Sequence, residues 1–292
     1  MKKCFAFLFA ALAILCLSSA ASAGEPCGIG TNDQWRGPVG LQIYSLRSIS
    51  GENPEEALSL AHEFGFVEVE LAGTYGKSEA EYAALLKKYQ LKPIACHWGF
   101  DRFEKEPEKV AAEAKALGLK MAGVAWIPHD GDFDEADCRH AAEVFNKAGK
   151  ILAAEGLGCY YHNHGYEFKP YKDGKTMFDL FMELTDPETV SVQMDILWTI
   201  FPGQDPVALM KKYPNRFSSL HLKDLKKGVT GNDSGGTDVA NDVALCSGQA
   251  DYPAILKTAQ EIGIKHFFIE DESPIFRTQI PESLKNLEKV QW

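Results

Sequence analysis

From Val39 onward, short apolar and β-branched runs alternate with longer stretches whose apolar positions recur every three to four residues. The short runs read as strands buried on both faces, and the 3.6-residue recurrence reads as amphipathic helix. This pattern predicts strands at Val39 to Tyr44, Phe66 to Leu71, Leu91 to Cys96, Leu119 to Ala125, Leu157 to Tyr161, Val190 to Met194, Phe217 to Leu222 and His266 to Ile269. Helices are predicted from Asn53-Pro54 onward, then over Ser78 to Tyr89, Glu104 to Leu117, Asp134 to Glu155, Thr176 to Leu184, Pro206 to Lys212, Tyr252 to Ile262 and Pro281 to Val290. Gly65, Gly118, Gly156 and Gly263 stand where helices end and strands begin, as C-caps do. Eight strand–helix units in about 250 residues have the size and order of a (β/α)8 barrel. A doubly wound open sheet would carry a Gly-rich phosphate turn after an early strand, and the sequence has none. The expected fold is therefore α/β, a single-domain TIM barrel over residues 39–292, with 24–38 as an N-terminal extension.

The first 23 residues read as an address. Lys2 and Lys3 precede an apolar run from Phe5 to Leu17, and Ala21-Ser22-Ala23 supplies the small residues of a signal-peptidase site. The apolar core is shorter than the roughly 20 residues a membrane span needs. Cleavage after Ala23 and a periplasmic or secreted product are expected, with no membrane span. Without the two leader lysines, 28 basic residues face 41 acidic ones, a net charge of −13. Such a surface repels phosphate backbones, which argues against a nucleic-acid partner. Five cysteines remain, at 27, 96, 138, 159 and 246, in no zinc-ribbon spacing. Cys96 and Cys159 lie in apolar strands and read as buried small hydrophobes, and Cys27 as the spare thiol.

In such a barrel the active site forms at the C-terminal ends of the strands. Glu70, His97, His162, His164, Asp195, His221 and Glu270 all fall there. His, Asp and Glu together make a nitrogen–oxygen donor set suited to one divalent ion, whether Mn, Zn, Co, Fe or Mg. Residues 162 and 164 are two apart, so both side chains face the barrel mouth, one as ligand and the other as substrate contact, while Asn163 faces outward. Trp98, Trp126, Trp198 and Phe100 cluster near strand ends, where they are expected to wall the barrel mouth. Glu70 and His97 join the three tryptophans as expected substrate contacts. Lys223, two residues past His221, is placed either to stabilise an enolate oxygen or to pair with Asp224. The polar stretch from Lys227 to Gln249 is too long for an ordinary connection and is expected to be a substrate loop.

The segments VGLQIYSLR, VEVEL, MD, LHLKD and FIED, in this order on the expected strands, resemble the xylose-isomerase-like barrels, a superfamily of sugar phosphate isomerases and epimerases. The resemblance spans Val39 to Glu270. It implies one divalent metal held by Glu, Asp, His and Glu on the last four strands. Asp195, His221 and Glu270 match that pattern. His162 stands where the fifth-strand Glu belongs, which disfavours two-carboxylate epimerisation. The His–X–His strand instead resembles the inosose-dehydratase branch, whose members abstract a proton beside a ketone and expel a β-hydroxyl.

The resemblance thus implies a carbohydrate substrate, a keto-sugar or a 3-keto-glycoside, with Glu270 as base. Lys223 or His164 would stabilise the enolate or protonate the leaving oxygen, and Glu167 would orient a ligand or act as acid or base. A true ketose isomerase and a non-catalytic sugar-binding barrel are the alternatives. DNA-repair nucleases share the barrel but need a multi-zinc cluster and a basic groove.

Overall fold

The computed structural model describes residues 28–292; the leader and Cys27 lie outside them. Eight parallel strands close into a barrel: β1 (Val39–Gln42), β2 (Glu68–Leu71), β3 (Lys92–Trp98), β4 (Met121–Val124), β5 (Gly158–His162), β6 (Ser191–Asp195), β7 (Phe217–Leu222) and β10 (His266–Ile269). β1 pairs with both β2 and β10, which completes the ring. A separate two-stranded antiparallel clip, β8 (Asp224–Leu225) with β9 (Asp242–Val243), follows β7.

Helices α1 (Arg47–Ser50), α2 (Pro54–Glu63), α3 (Glu79–Lys88), α4 (Phe100–Lys105), α5 (Pro107–Ala116), α6 (Glu135–Ala154), α7 (Met177–Leu184), α8 (Ile196–Ile200), α9 (Pro206–Lys212), α10 (Tyr252–Glu261) and α11 (Phe276–Leu287) lie in the connections. Their starts follow local chemistry. Asn53 caps α2 ahead of Pro54, and Ser78, Asp134 and Thr176 form capping boxes on α3, α6 and α7. The four expected C-cap glycines all have positive φ, from 75° to 92°, the region open to a residue without Cβ.

Three boundaries depart from expectation. The helix expected over 104–117 is two helices, because Glu106, forced out of helical backbone before Pro107 (φ −144°, ψ 48°), breaks the run. The closing helix starts at Phe276 and carries Pro281 inside it. Its buried stripe of Phe276, Ile280, Leu284 and Leu287 outweighs the hydrogen bond that a proline cannot make. β1 stops at Gln42, whose side chain accepts the Tyr44 N–H at 3.0 Å and turns the chain into a 3₁₀ turn.

The barrel interior is unusual. TIM barrels fill it with layers of branched apolar residues, whereas here Gln42, Glu70, Tyr160, Gln193 and Ser219 form a buried polar layer. Its members satisfy one another: Gln42 and Gln193 donate to Glu70 at 2.7 and 2.8 Å, Tyr160 at 2.5 Å, and Gln193 also donates to Ser219 at 3.0 Å. Gly123 makes the room, since a Cβ there would lie 2.3 Å from the Tyr160 ring. Cys96, Cys138 and Cys159 are buried and free, and Cys246 is exposed. Among the described residues no helix is long and apolar enough to cross a membrane.

Candidate active site

Directly above the polar layer, at the C-terminal ends of β5, β6, β7 and β10, four side chains converge. His162, Asp195, His221 and Glu270 each present a donor atom, and these atoms lie within 4.8 Å of one another. Asp195 Oδ2 is 3.9 Å from His162 Nε2 and 3.9 Å from His221 Nδ1, and His221 Nδ1 is 3.0 Å from Glu270 Oε2. All four residues are buried.

The layer below sets the tautomers. Gln193 uses its NH2 group on Glu70 and Ser219, so its oxygen accepts from His97 Nε2–H and His162 Nδ1–H, each at 3.0 Å. His162 therefore turns the lone pair of Nε2 toward Asp195. Glu70 accepts the Nε2–H of His221 from beneath, which aims Nδ1 into the cluster. This is the carboxylate–histidine support that metal-ligating imidazoles ordinarily have.

The electrostatics fit a cation. Burial, with His221 and His97 adding to it, holds His162 neutral, well below its ordinary pKa. Burial pushes Asp195 up to about 7 despite Lys223 and His221 nearby, and its Oδ2 has no hydrogen-bond partner. An orphaned buried carboxylate oxygen facing two imidazoles is costly unless a positive charge sits among them. Burial disfavours charge on His221, yet without an ion the Glu70 and Glu270 carboxylates raise it to about 10, and a divalent ion would take the place of the Nδ1 proton. Burial likewise opposes ionisation of Glu270, but Lys223 and His221 hold it well below the usual carboxylate range. The set of two imidazoles and two carboxylates, without thiolate, suits Zn, Mn, Fe or Co.

A cavity of about 520 Å³ opens above the cluster. Of the residues expected to touch substrate, His97, Trp98, Trp126 and Trp198 line it, as do His162, His164, Lys223 and Glu270. His164 stacks on Trp198 with ring centroids 4.4 Å apart. The segment after β7 supplies Gly235, Gly236, Thr237, Val239 and Asp242 to the wall. It is anchored: the Asp224 carboxylate accepts the N–H groups of Gly248 and Ala250 at 2.9 and 3.0 Å.

Several expected roles are corrected. Glu70 does not contact the cavity; it is wholly buried beneath His221 and serves as its support. Glu167 is buried below the mouth, where its Oε1 accepts the His164 N–H at 2.8 Å and the Tyr161 hydroxyl at 3.0 Å. It positions the His164 turn and does not face the cavity. Phe100 likewise packs in the core. Lys223 does not pair with Asp224; its ammonium reaches Glu272 at 2.6 Å, Glu270 at 3.5 Å and Asp195 at 4.0 Å. Asn163 points away from the cavity but is buried, bonding the Asp195 N–H at 2.9 Å and so fixing the end of β6. Gln193, Asp242 and Glu272 were not anticipated. Gln193 was within reach, since it lies two residues before Asp195 and so on the same strand face.

A profile described as xylose isomerase-like TIM barrel matches residues 58–290. The chain belongs to that family. Among curated members, it is 30% identical to the inosose dehydratase of Clostridium beijerinckii over 215 residues, covering 66% of this chain and 70% of that protein. It is 33% identical to the Clostridium tetani inosose dehydratase over 98 residues, and that match spans about a third of each chain. A solved sugar phosphate isomerase/epimerase from Parabacteroides distasonis superposes with a TM-score of 0.71 at 26% identity, covering 87% of this chain and 99% of that one. The barrel of the IOLI protein, crystallised with zinc, superposes with a TM-score of 0.66 at 14% identity, covering 86% and 95%.

Proposed function

We propose that this family member is a metal-dependent dehydratase or lyase. It would remove a proton beside the ketone of a keto-sugar, a keto-cyclitol or a 3-keto-glycoside and expel the β-hydroxyl or β-alkoxyl. The observation that carries this reading is the convergence of His162 Nε2, Asp195 Oδ2, His221 Nδ1 and Glu270 on one point below an aromatic-walled cavity. The inosose dehydratases among the relatives support the dehydratase class.

His162, Asp195, His221 and Glu270 would hold one divalent ion, which when bound acts as a Lewis acid that acidifies the carbon beside a carbonyl. Glu270, at the cavity wall, is the carboxylate proposed to accept that proton. Lys223 supplies positive charge at the same wall, where negative charge develops as the C–H bond breaks. Trp98, Trp126 and Trp198 offer flat apolar faces for a sugar ring and exclude water around the reacting carbons.

The test is reaction of metal-reconstituted protein with an inosose and a 3-keto-glycoside in deuterated water, followed by NMR. Solvent deuterium at the carbon beside the ketone and an unsaturated ketone product are expected. An epimerised ketose would favour the isomerase alternative, and unlabelled substrate recovered without any product would refute the reading. We further propose export: the N-terminus of the secreted protein is expected at Gly24, and a soluble cytoplasmic chain retaining Met1 would contradict it.

A further inference from the structure

Elimination needs a proton for the departing oxygen as well as a base for the carbon acid, and three of the donors at this cavity are already committed. His97 Nε2–H and His162 Nδ1–H both go to the Gln193 oxygen. The Lys223 ammonium has three carboxylates around it, those of Glu272, Glu270 and Asp195.

Asp242 is in a different position. It opens β9, which the antiparallel pairing with β8 holds against the mouth of the barrel next to Lys223. Its backbone carbonyl accepts from Gln279 Nε2 at 3.1 Å, which anchors it from the α11 side. One carboxyl oxygen, Oδ2, accepts the N–H of Glu272 at 2.8 Å. Among the described residues no hydrogen bond reaches Oδ1, and the side chain forms part of the cavity wall. Asp242 thus stands on the same wall as Glu270, tied to the residue two places after it, with one oxygen left for a ligand.

We propose that Asp242 is the proton donor to the leaving oxygen. Its environment favours the acid form: burial raises it well above the ordinary aspartate range, and the neighbouring Asp271 carboxylate adds to this against the opposing charge of Lys223. A carboxylic acid held neutral beside an ionised carboxylate is the division of labour that acid–base pairs use.

The inference rests on the dehydratase reading. In the step it describes, the C–H bond beside the ketone breaks and its proton goes to Glu270. The electron pair is first held as the enolate, which solvent deuterium can quench, and then forms the carbon–carbon double bond as the β C–O bond breaks. The departing oxygen takes the Asp242 proton and leaves as water, or as the free alcohol from a glycoside. Substrate is thereby converted to an unsaturated ketone without oxidant or reductant. Glu270 then gives its proton to solvent, and Asp242 regains one.

The experiment compares wild type with Asp242→Asn, metal-loaded, on an inosose and on its analogue carrying fluorine in place of the β-hydroxyl, both in deuterated water. Fluoride departs with far less help from an acid. Water elimination is expected to fall by about 10²-fold or more, with deuterium exchange beside the ketone and fluoride release retained within about threefold. Retained fluoride release also shows that the variant is folded. Asp242→Ser is expected to behave the same way. Water elimination at the wild-type rate would overturn the assignment, and so would parallel loss of all three readouts in both variants. Wild type that neither exchanges deuterium nor forms an unsaturated ketone would overturn the dehydratase reading itself, and the Asp242 role with it.

Discussion

Glu70 lies directly beneath His221, and its carboxylate accepts the Nε2–H of that imidazole, so the opposite nitrogen faces Asp195 and Glu270. Burial opposes charge on Glu70, but His97 and His221 hold it down at about 2, and it stays ionised. A carboxylate fixed this way orients the ring and raises its basicity as a ligand.

Glu70→Gln is therefore expected to bind Zn or Mn about 10–100-fold more weakly than wild type by isothermal titration. The substitution keeps the shape of the polar layer but breaks its charge balance. Unchanged affinity would mean that His221 needs no support from below.

Gly123→Ala reaches the same network from the side. The new Cβ meets the Tyr160 ring at 2.3 Å, and that tyrosine cannot move without releasing Glu70. A stability loss of about 1–3 kcal/mol is expected in denaturant unfolding, together with weaker metal binding. A loss of stability with metal affinity intact would separate packing from ligand support.

Lys223 is the buried counter-charge for Glu270, Glu272 and Asp195. Removing one partner of a buried ionic group costs about 3–5 kcal/mol, so Lys223→Met is expected to lower the melting temperature of the metal-free protein. Added metal replaces part of the lost positive charge and should stabilise the variant more than it stabilises wild type. Equal stabilisation of the two would show that Lys223 and the ion do not share those carboxylates.

Glu167 gives a pH dependence. Burial raises its carboxyl from 4.5 to about 7, so the folded chain binds this proton more tightly than the unfolded chain does. Stability is therefore lost as pH rises from about 4.5 through 7, by about 3 kcal/mol in total. Glu167→Gln should remove that slope, the two proteins differing most above pH 7 and least below 4.5. Parallel pH profiles by urea unfolding would contradict the assignment.

The barrel was legible because eight apolar runs and their glycine caps repeat in phase, and β7 and β10 end where the pattern says they should. The cluster was legible because a strand-end position already specifies which rim of the barrel a residue occupies. Depth was not. Glu70 sits one residue before the end of β2 and drops into the layer below. Glu167 lies in a 3₁₀ turn, Tyr166–Phe168, that folds it under His164. Asp242 lies in a polar stretch without periodicity, and only the pairing of β8 with β9 brings it to the cavity. Pro281 suggested a helix start, and the long-range packing of Phe276 and Ile280 overrode it.

Elemental analysis after reconstitution and desalting tests most directly whether the four-residue cluster is a metal centre. Wild type is expected to retain one divalent ion per chain, with His221→Ala, Asp195→Asn and His162→Ala each retaining far less in the fraction that circular dichroism shows to be folded. Folded wild-type protein without stoichiometric metal, or variants that retain it in full, would contradict the account.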